Sequence, residues 1–233
     1  MRGSQFLTLI NMLRDELRRS TDPAVSASDA DGLKRVINRN YEFLYTDYDW
    51  PILRRVYPSR QLNSGLALYD LPADLDMERI EKVACWYNGG VGHLTRGIGF
   101  EQYSVFDTED DVRSSPAQFW DIRSSGLHDH VQYEIWPLPD DTLQYVQFIG
   151  FKKFERLVND ADLCLIDDNL VVGFSAAEML LAQGSEDAES KLRSAQALYS
   201  RLRGRLKSAS KTHTLTEGGS NRPAPKIVVQ VNG

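Results

Sequence analysis

The spacing of the apolar residues changes twice along this chain, and that change limits the possible folds more than any other feature. Near the start, Phe6, Leu9, Ile10, Leu13 and Leu17 recur at helical spacing with charged residues opposite them. Leu33, Val36, Ile37, Tyr41 and Leu44 form a second stripe of the same kind. Pro23 closes the first helix, and Ser28, followed by acidic residues, reads as the N-cap of the second. The pattern predicts two antiparallel helices that end at Trp50-Pro51.

Beyond Pro51 the helical period disappears. Residues 54–62 and 66–71 are short segments separated by Asn63-Ser64-Gly65, which reads as a hairpin turn. Residues 79–87 form a further strand pattern before Asn88-Gly89-Gly90, and residues 99–106 read as a short helix. Residues 119–124 and 131–137 flank a turn at 126–130, and residues 144–154 alternate well enough for a longer strand. Short strands at regular spacing, mostly without helices between them, predict an antiparallel sheet.

Helical texture then returns. Residues 170–183 are apolar on most faces and read as a buried helix stopped by Gly184. A last helix over 186–207 starts acidic and ends basic, as its dipole favours. Its apolar positions Leu192, Ala195, Tyr199, Leu202 and Leu206 make a narrow seam, suited either to the chain's own bundle or to another subunit. The expected fold class is α+β: a helical bundle from the N-terminal pair (1–52) and the C-terminal helices (161–207), with an antiparallel β domain inserted at 53–160. That domain is sandwich or barrel-like. A flexible extension follows at 208–233, polar until Ile227, Val228 and Val229. This end is a strong strand former that suits either a partner's sheet edge or the chain's own.

Charge is unevenly divided. From Lys191 onward nine basic residues face one acidic residue, giving +8; the net charge of −6 therefore leaves −14 on the first 190 residues. Such asymmetry fits two parts of a chain that face different partners, with a solvated basic helix of no particular role as the alternative. The apolar stretch at 6–10 is too short for a signal peptide, and no run is long enough to span a bilayer, so synthesis in the cytoplasm is expected. Cys85 and Cys164 match no metal or redox spacing. A single disulfide between them stays open, although a reducing compartment is the simpler reading.

Chemistry finds little to use. His128 and His130 lie in a turn without a third ligand. The glycines at 89–92 and 97–99 match no phosphate-binding loop. Asp140-Asp141 and Asp167-Asp168 are explained by turns and a helix start, and no nucleophile elbow is present. No enzyme activity and no cofactor are expected. Trp86, Trp120 and Trp136 would line a cleft if this were a carbohydrate-binding or hydrolytic domain. Arg201, Arg203, Arg205 and Lys207 resemble a phosphate-contacting helix end, but the acidic body opposes a grip on DNA.

Tyr69-Asp70-Leu71-Pro72-Ala73-Asp74, followed by Arg79-Ile80-Glu81-Lys82-Val83, resembles the Y-x-LP-x-D…I-x-x-V element of tailed-bacteriophage head-to-tail adaptor proteins. Ile135-Trp136-Pro137-Leu138-Pro139-Asp140 and Val146 to Phe151 are similar to that family's next hairpin, and Ala176-Ala177 to its following helix. The likeness spans residues 6–207. It implies a virion structural protein of the neck, between capsid and tail: a dodecameric ring of copies beneath the portal protein. That ring extends the DNA channel, lets DNA pass without sequence-specific binding, and offers tail or nozzle proteins an attachment surface. No membrane is involved. The residues offered for portal or subunit contact are Leu192, Tyr199, Arg201, Leu202, Arg203, Arg205, Leu206, Lys207, Ile227, Val228 and Val229. Another tail or fibre-anchoring structural protein is the main alternative.

Overall fold

A computed structural model describes residues 3–22, 29–106, 110–125 and 130–209. Helix α1 (Phe6–Glu16) and helix α2 (Ala30–Asp47) open the fold, burying Phe6, Leu9, Ile10 and Leu13 against Leu33, Ile37, Tyr41 and Leu44. Pro23 and Ser28, read above as stop and cap, lie outside the described residues. The residue immediately before α2 is Asp29, which makes no capping bond. Its carboxylate instead receives Arg14 at 3.2 Å and Arg19 at 3.1 Å, tying α2's start to α1's end. These guanidinium partners outweigh the cost of desolvation and hold Asp29 below its usual pKa.

After a 3₁₀ turn (Pro51–Leu53) the chain enters two facing sheets. The first orders β1 (Arg54–Val56), β9 (Tyr145–Lys152), β4 (Leu75–Tyr87) and β5 (Gly90–His93), with β2 (Arg60–Gln61) also on β9. The second orders β3 (Leu68–Asp70), β8 (His130–Trp136), β7 (Phe119–Ser125) and β6 (Thr95–Arg96). Trp120 and Tyr133 of the second sheet meet Phe148 of the first edge-on, at 5.7 and 4.9 Å between ring centres. Period-2 alternation supplies this core: Val83 opposes Phe148, and Cys85 opposes Val146, all facing inward. The sandwich is thus the observed form of the inserted β domain.

One sequence expectation is corrected. The turn at Asn63-Ser64-Gly65 does not make a hairpin, because β2 pairs with β9 whereas β3 pairs with β8. The turn forms, with Gly65 at φ +73° and Leu66 donating to the Asn63 carbonyl, but it carries the chain from one sheet to the other. The strand pairs are antiparallel as expected apart from the short β6–β7 pair, which runs parallel across the crossover that contains helix α3 (Phe100–Tyr103). By contrast, Asn88 and Gly89, at φ +48° and +77°, close a two-residue hairpin between β4 and β5.

The bundle is completed by α4 (Asp168–Ala182) and α5 (Ala188–Ala209). The Asp167 side chain accepts from the Leu170 amide, and Gly184 at φ +66° follows α4, as start and stop signals require. An N-terminal strap fixes this layer, with Gly3 and Phe6 donating to the carbonyls of Cys164 and Asp162. Cys164 lies in the bundle core and Cys85 in the sandwich core, both as free thiols.

Strand β9 belongs to both cores. Val146 and Phe148 point into the sandwich, whereas Phe151 joins the bundle. Between them Gly150 lies under the bulged part of β4. A β-carbon there would approach the Leu75 Cδ1 to 2.8 Å and the Arg79 carbonyl oxygen to 3.0 Å. Gly150→Ala is expected to lower stability by about 1–3 kcal/mol in urea denaturation, because a backbone atom cannot yield as a side chain can. An unchanged midpoint would show that β4 moves freely.

Burial pushes the Cys85 thiol up to about 11 and the Cys164 thiol up to about 12, from an ordinary 9.0. The unfolded thiols ionise first, so the stability tied to them is complete below their unfolded pKa. It is lost as pH rises toward those higher values. Neither thiol should react with Ellman's reagent at neutral pH until denaturant unfolds the chain; a rapid native reaction would contradict their burial.

Candidate assembly surfaces

The C-terminal helix lies against the bundle along much of its seam. Ala195 packs on Gly173, where a β-carbon would come within 3.4 Å of the Ala195 Cβ, so the missing side chain lets α4 and α5 approach closely. Leu198, Tyr199 and Leu202 pack on the bundle core, and Lys191 pairs with Glu16. Tyr199 is the anchor. Its ring meets Trp50 at 6.1 Å and Phe174 at 6.3 Å, and its hydroxyl donates to Asp47 at the end of α2. Burial, then the Asp47 hydrogen bond, pushes its phenol up to about 12, so it remains a donor at neutral pH.

Arg203 closes the cluster. It donates to the Tyr199 hydroxyl at 3.2 Å and stands over the rings of Tyr48 and Tyr199 at 5.0 and 5.1 Å. Asp47 is 3.9 Å away. Trp50, whose indole donates to the Leu44 carbonyl at 2.7 Å, forms the floor. Of the residues singled out on this helix, Tyr199, Leu202 and Arg203 are therefore engaged within the chain, and Leu192 is half-buried. Arg201 and Arg205 are exposed. The backbone remains helical through Leu206 and Lys207, while Ile227, Val228 and Val229 lie outside the described residues.

A second surface projects from the sandwich. Glu134, only 7% exposed, accepts from the Tyr103 hydroxyl and from Arg123, each at 2.7 Å. Arg123 also donates to the Ile98 carbonyl and to the Tyr103 hydroxyl. Further on, the Trp136 indole donates to the Phe106 carbonyl at 3.0 Å. These bonds fasten α3 and its loop to the second sheet, yet Phe100 is 95% exposed and Val105 66%. Sequence reading placed the short helix but missed this projection; the signal was an apolar Phe-x₄-Val pair with no partner stripe.

The constellations weighed for chemistry are dispersed. Trp120 and Trp136 are buried, and Trp86 is exposed on the outer face of the other sheet, so the three line no common cleft. Asp141 accepts from the Leu143 amide as a turn former, and Asp140 accepts from Ser115. His128 lies outside the described residues; His130 opens β8. Among the described residues no group of three or more acidic, histidine or cysteine side chains is placed to hold a metal, and no helix is long and apolar enough to cross a membrane.

Tyr199→Phe keeps the ring and removes the hydroxyl between Asp47 and Arg203. The expected loss is about 1 kcal/mol of stability, with faster amide exchange over residues 199–205. Unchanged exchange there would remove Tyr199 as the anchor.

Residues 4–224 match the model of a family described as SU10 adaptor protein. No curated protein matches the chain.

Proposed function

The chain belongs to the SU10 adaptor protein family, and from that premise we propose that this bacteriophage structural adaptor forms a ring beneath the portal. In this reading the ring extends the DNA channel and offers its far side to tail or nozzle proteins. The observation that carries the reading is the family match across nearly the whole chain, 4–224, taking in the bundle and the sandwich together. Two unlike bodies give each copy two unlike faces. Contacts between different patches close into a ring when the rotation per copy is right. The work is contact rather than turnover, and the virion is its place.

The portal side is assigned to the basic end of α5 and the extension after it. Arg201 and Arg205 are exposed, while neighbouring Arg203 is held by Tyr48, Tyr199 and Asp47, so the helix end presents charge from a fixed base. Exposed cations steer association and weaken as salt screens them. The acidic remainder of the chain suits a conduit, since like charge keeps DNA from sticking to its wall.

Arg201→Glu combined with Arg205→Glu, or deletion of residues 208–233, is expected to reduce co-sedimentation with portal rings about tenfold or more while leaving the melting temperature within a degree or so. Added salt should weaken the parent protein's binding in the same direction. Co-sedimentation equal to the parent's would overturn the assignment of this end to the portal.

A further inference from the structure

Copies that meet through unlike patches need a projection and a recess of matching chemistry, and the described surface carries one such pair. The projection is α3 and the described residues that follow it to Phe106. Its Glu134–Arg123–Tyr103 clamp, with Glu134 buried and Arg123 and Tyr103 half-buried, ties α3 to the sheet while leaving Phe100 and Val105 in solvent. From Phe100 to Val112 the sequence holds five acidic residues and no basic one. Of the described residues there, Glu101 and Asp110 are exposed, and Asp111 is paired with Arg113 at 2.6 Å. A phenyl ring held almost fully in water is not a stability device. Single exposed apolar residues are ordinary, but Phe100 and Val105 share one clamped, acidic segment.

The recess lies on the bundle. A groove of about 350 Å³ runs along the outer face of α2, lined by Lys34, Arg35, Asn38, Arg39, Glu42 and Arg156. Lys34 is tied to Asp160 at 2.8 Å and Arg39 to Glu178. Arg35 makes no ion pair among the described residues. Arg156 has only a loose 3.8 Å contact with Glu42, both groups being largely exposed. Such a pair exchanges partners at little cost. Guanidinium planes also accept an aromatic ring on their faces.

We infer that, in the assembly, the α3 projection of one copy lodges in the α2 groove of the next, Phe100 against the arginine planes and its neighbouring carboxylates toward Arg35 and Arg156. The inference rests on the ring reading above and names its subunit contact. Charge complementarity within one chain selects a second copy as the occupant: the groove's unpaired charge is positive and the projection's is negative. The two patches lie on different bodies of the fold, so the contact is heterologous, as ring closure demands.

The full chain is to carry Phe100→benzoylphenylalanine and be irradiated both alone and on portal rings. The expected product is a dimeric cross-link from position 100 to the stretch 33–42 or to Arg156 of a second copy. Phe100→Ser and Arg35→Glu should each raise the concentration at which half the protein is ring-assembled by about tenfold. Glu101→Arg added to Arg35→Glu should recover part of that loss. Both native side chains are exposed, so circular dichroism should be unaltered. Rings whose cross-links fall elsewhere, or Phe100→Ser rings that form at the parental concentration, would overturn this contact and leave the ring standing. Single copies on the portal would overturn the ring, and the contact with it.

Discussion

One arginine joins the two halves of this molecule. Arg79 lies on β4, yet its guanidinium reaches the end of α2, donating to the Tyr45 and Tyr48 carbonyls at 3.1 and 3.0 Å and to the Asp49 carboxylate at 2.8 Å. It also covers the Phe151 ring at 4.6 Å. Carbonyls at a helix C-terminus have no partner within the helix and carry the negative end of its dipole, so a cation there answers both needs. From the opposite side, the Tyr45 hydroxyl donates to the Lys152 carbonyl at 2.8 Å, where β9 leaves the sandwich. Bundle and sandwich are thereby joined by polar bonds anchored on Tyr45 and Phe151 of the bundle core.

That junction explains how one strand can serve two cores. Side chains along β9 alternate between faces, but from Gly150 onward the outer face meets helices rather than water. Phe151 is consequently buried where a lone sandwich would expose it. Gly150 provides the clearance for β4 to bulge at the same place, and the bulge brings Arg79 to the helix end. A rigid joint matters for a protein that works by contact. Should copies assemble as proposed above, their contact surfaces would share one geometry because bundle and sandwich are joined within each copy.

Much of this was legible beforehand, for physical reasons that can be named. Apolar stripes at Phe6–Leu13 and Leu33–Leu44 mark helix faces because side chains three and four apart share a side. Asn88-Gly89 marks a turn because both residues tolerate positive φ. The failures share another cause. Asn63-Ser64-Gly65 has sound turn chemistry, but local chemistry does not say which strand lies beyond the turn. That choice was made by β8 and β9, about seventy residues or more along the chain. The seam on α5 was equally open, since a heptad-like stripe fits any apolar groove; Gly173, invisible as a signal in its own helix, admitted Ala195. The Phe100 projection escaped because its support comes from Arg123 and Glu134 on other strands.

The division of charge along the chain acquires a mechanical sense from these contacts. A basic helix end on an acidic body would ordinarily fold back and neutralise itself. Here the carboxylate nearest the end of α2, Asp47, is already shared by Tyr199 and Arg203, and both are packed beside Trp50 and Tyr48. With that acid spent on holding the helix, Arg201 and Arg205 stay exposed. Positive charge on Arg201 and Arg205 is thus kept on the surface while Arg203 is taken up by the Asp47–Tyr199 anchor.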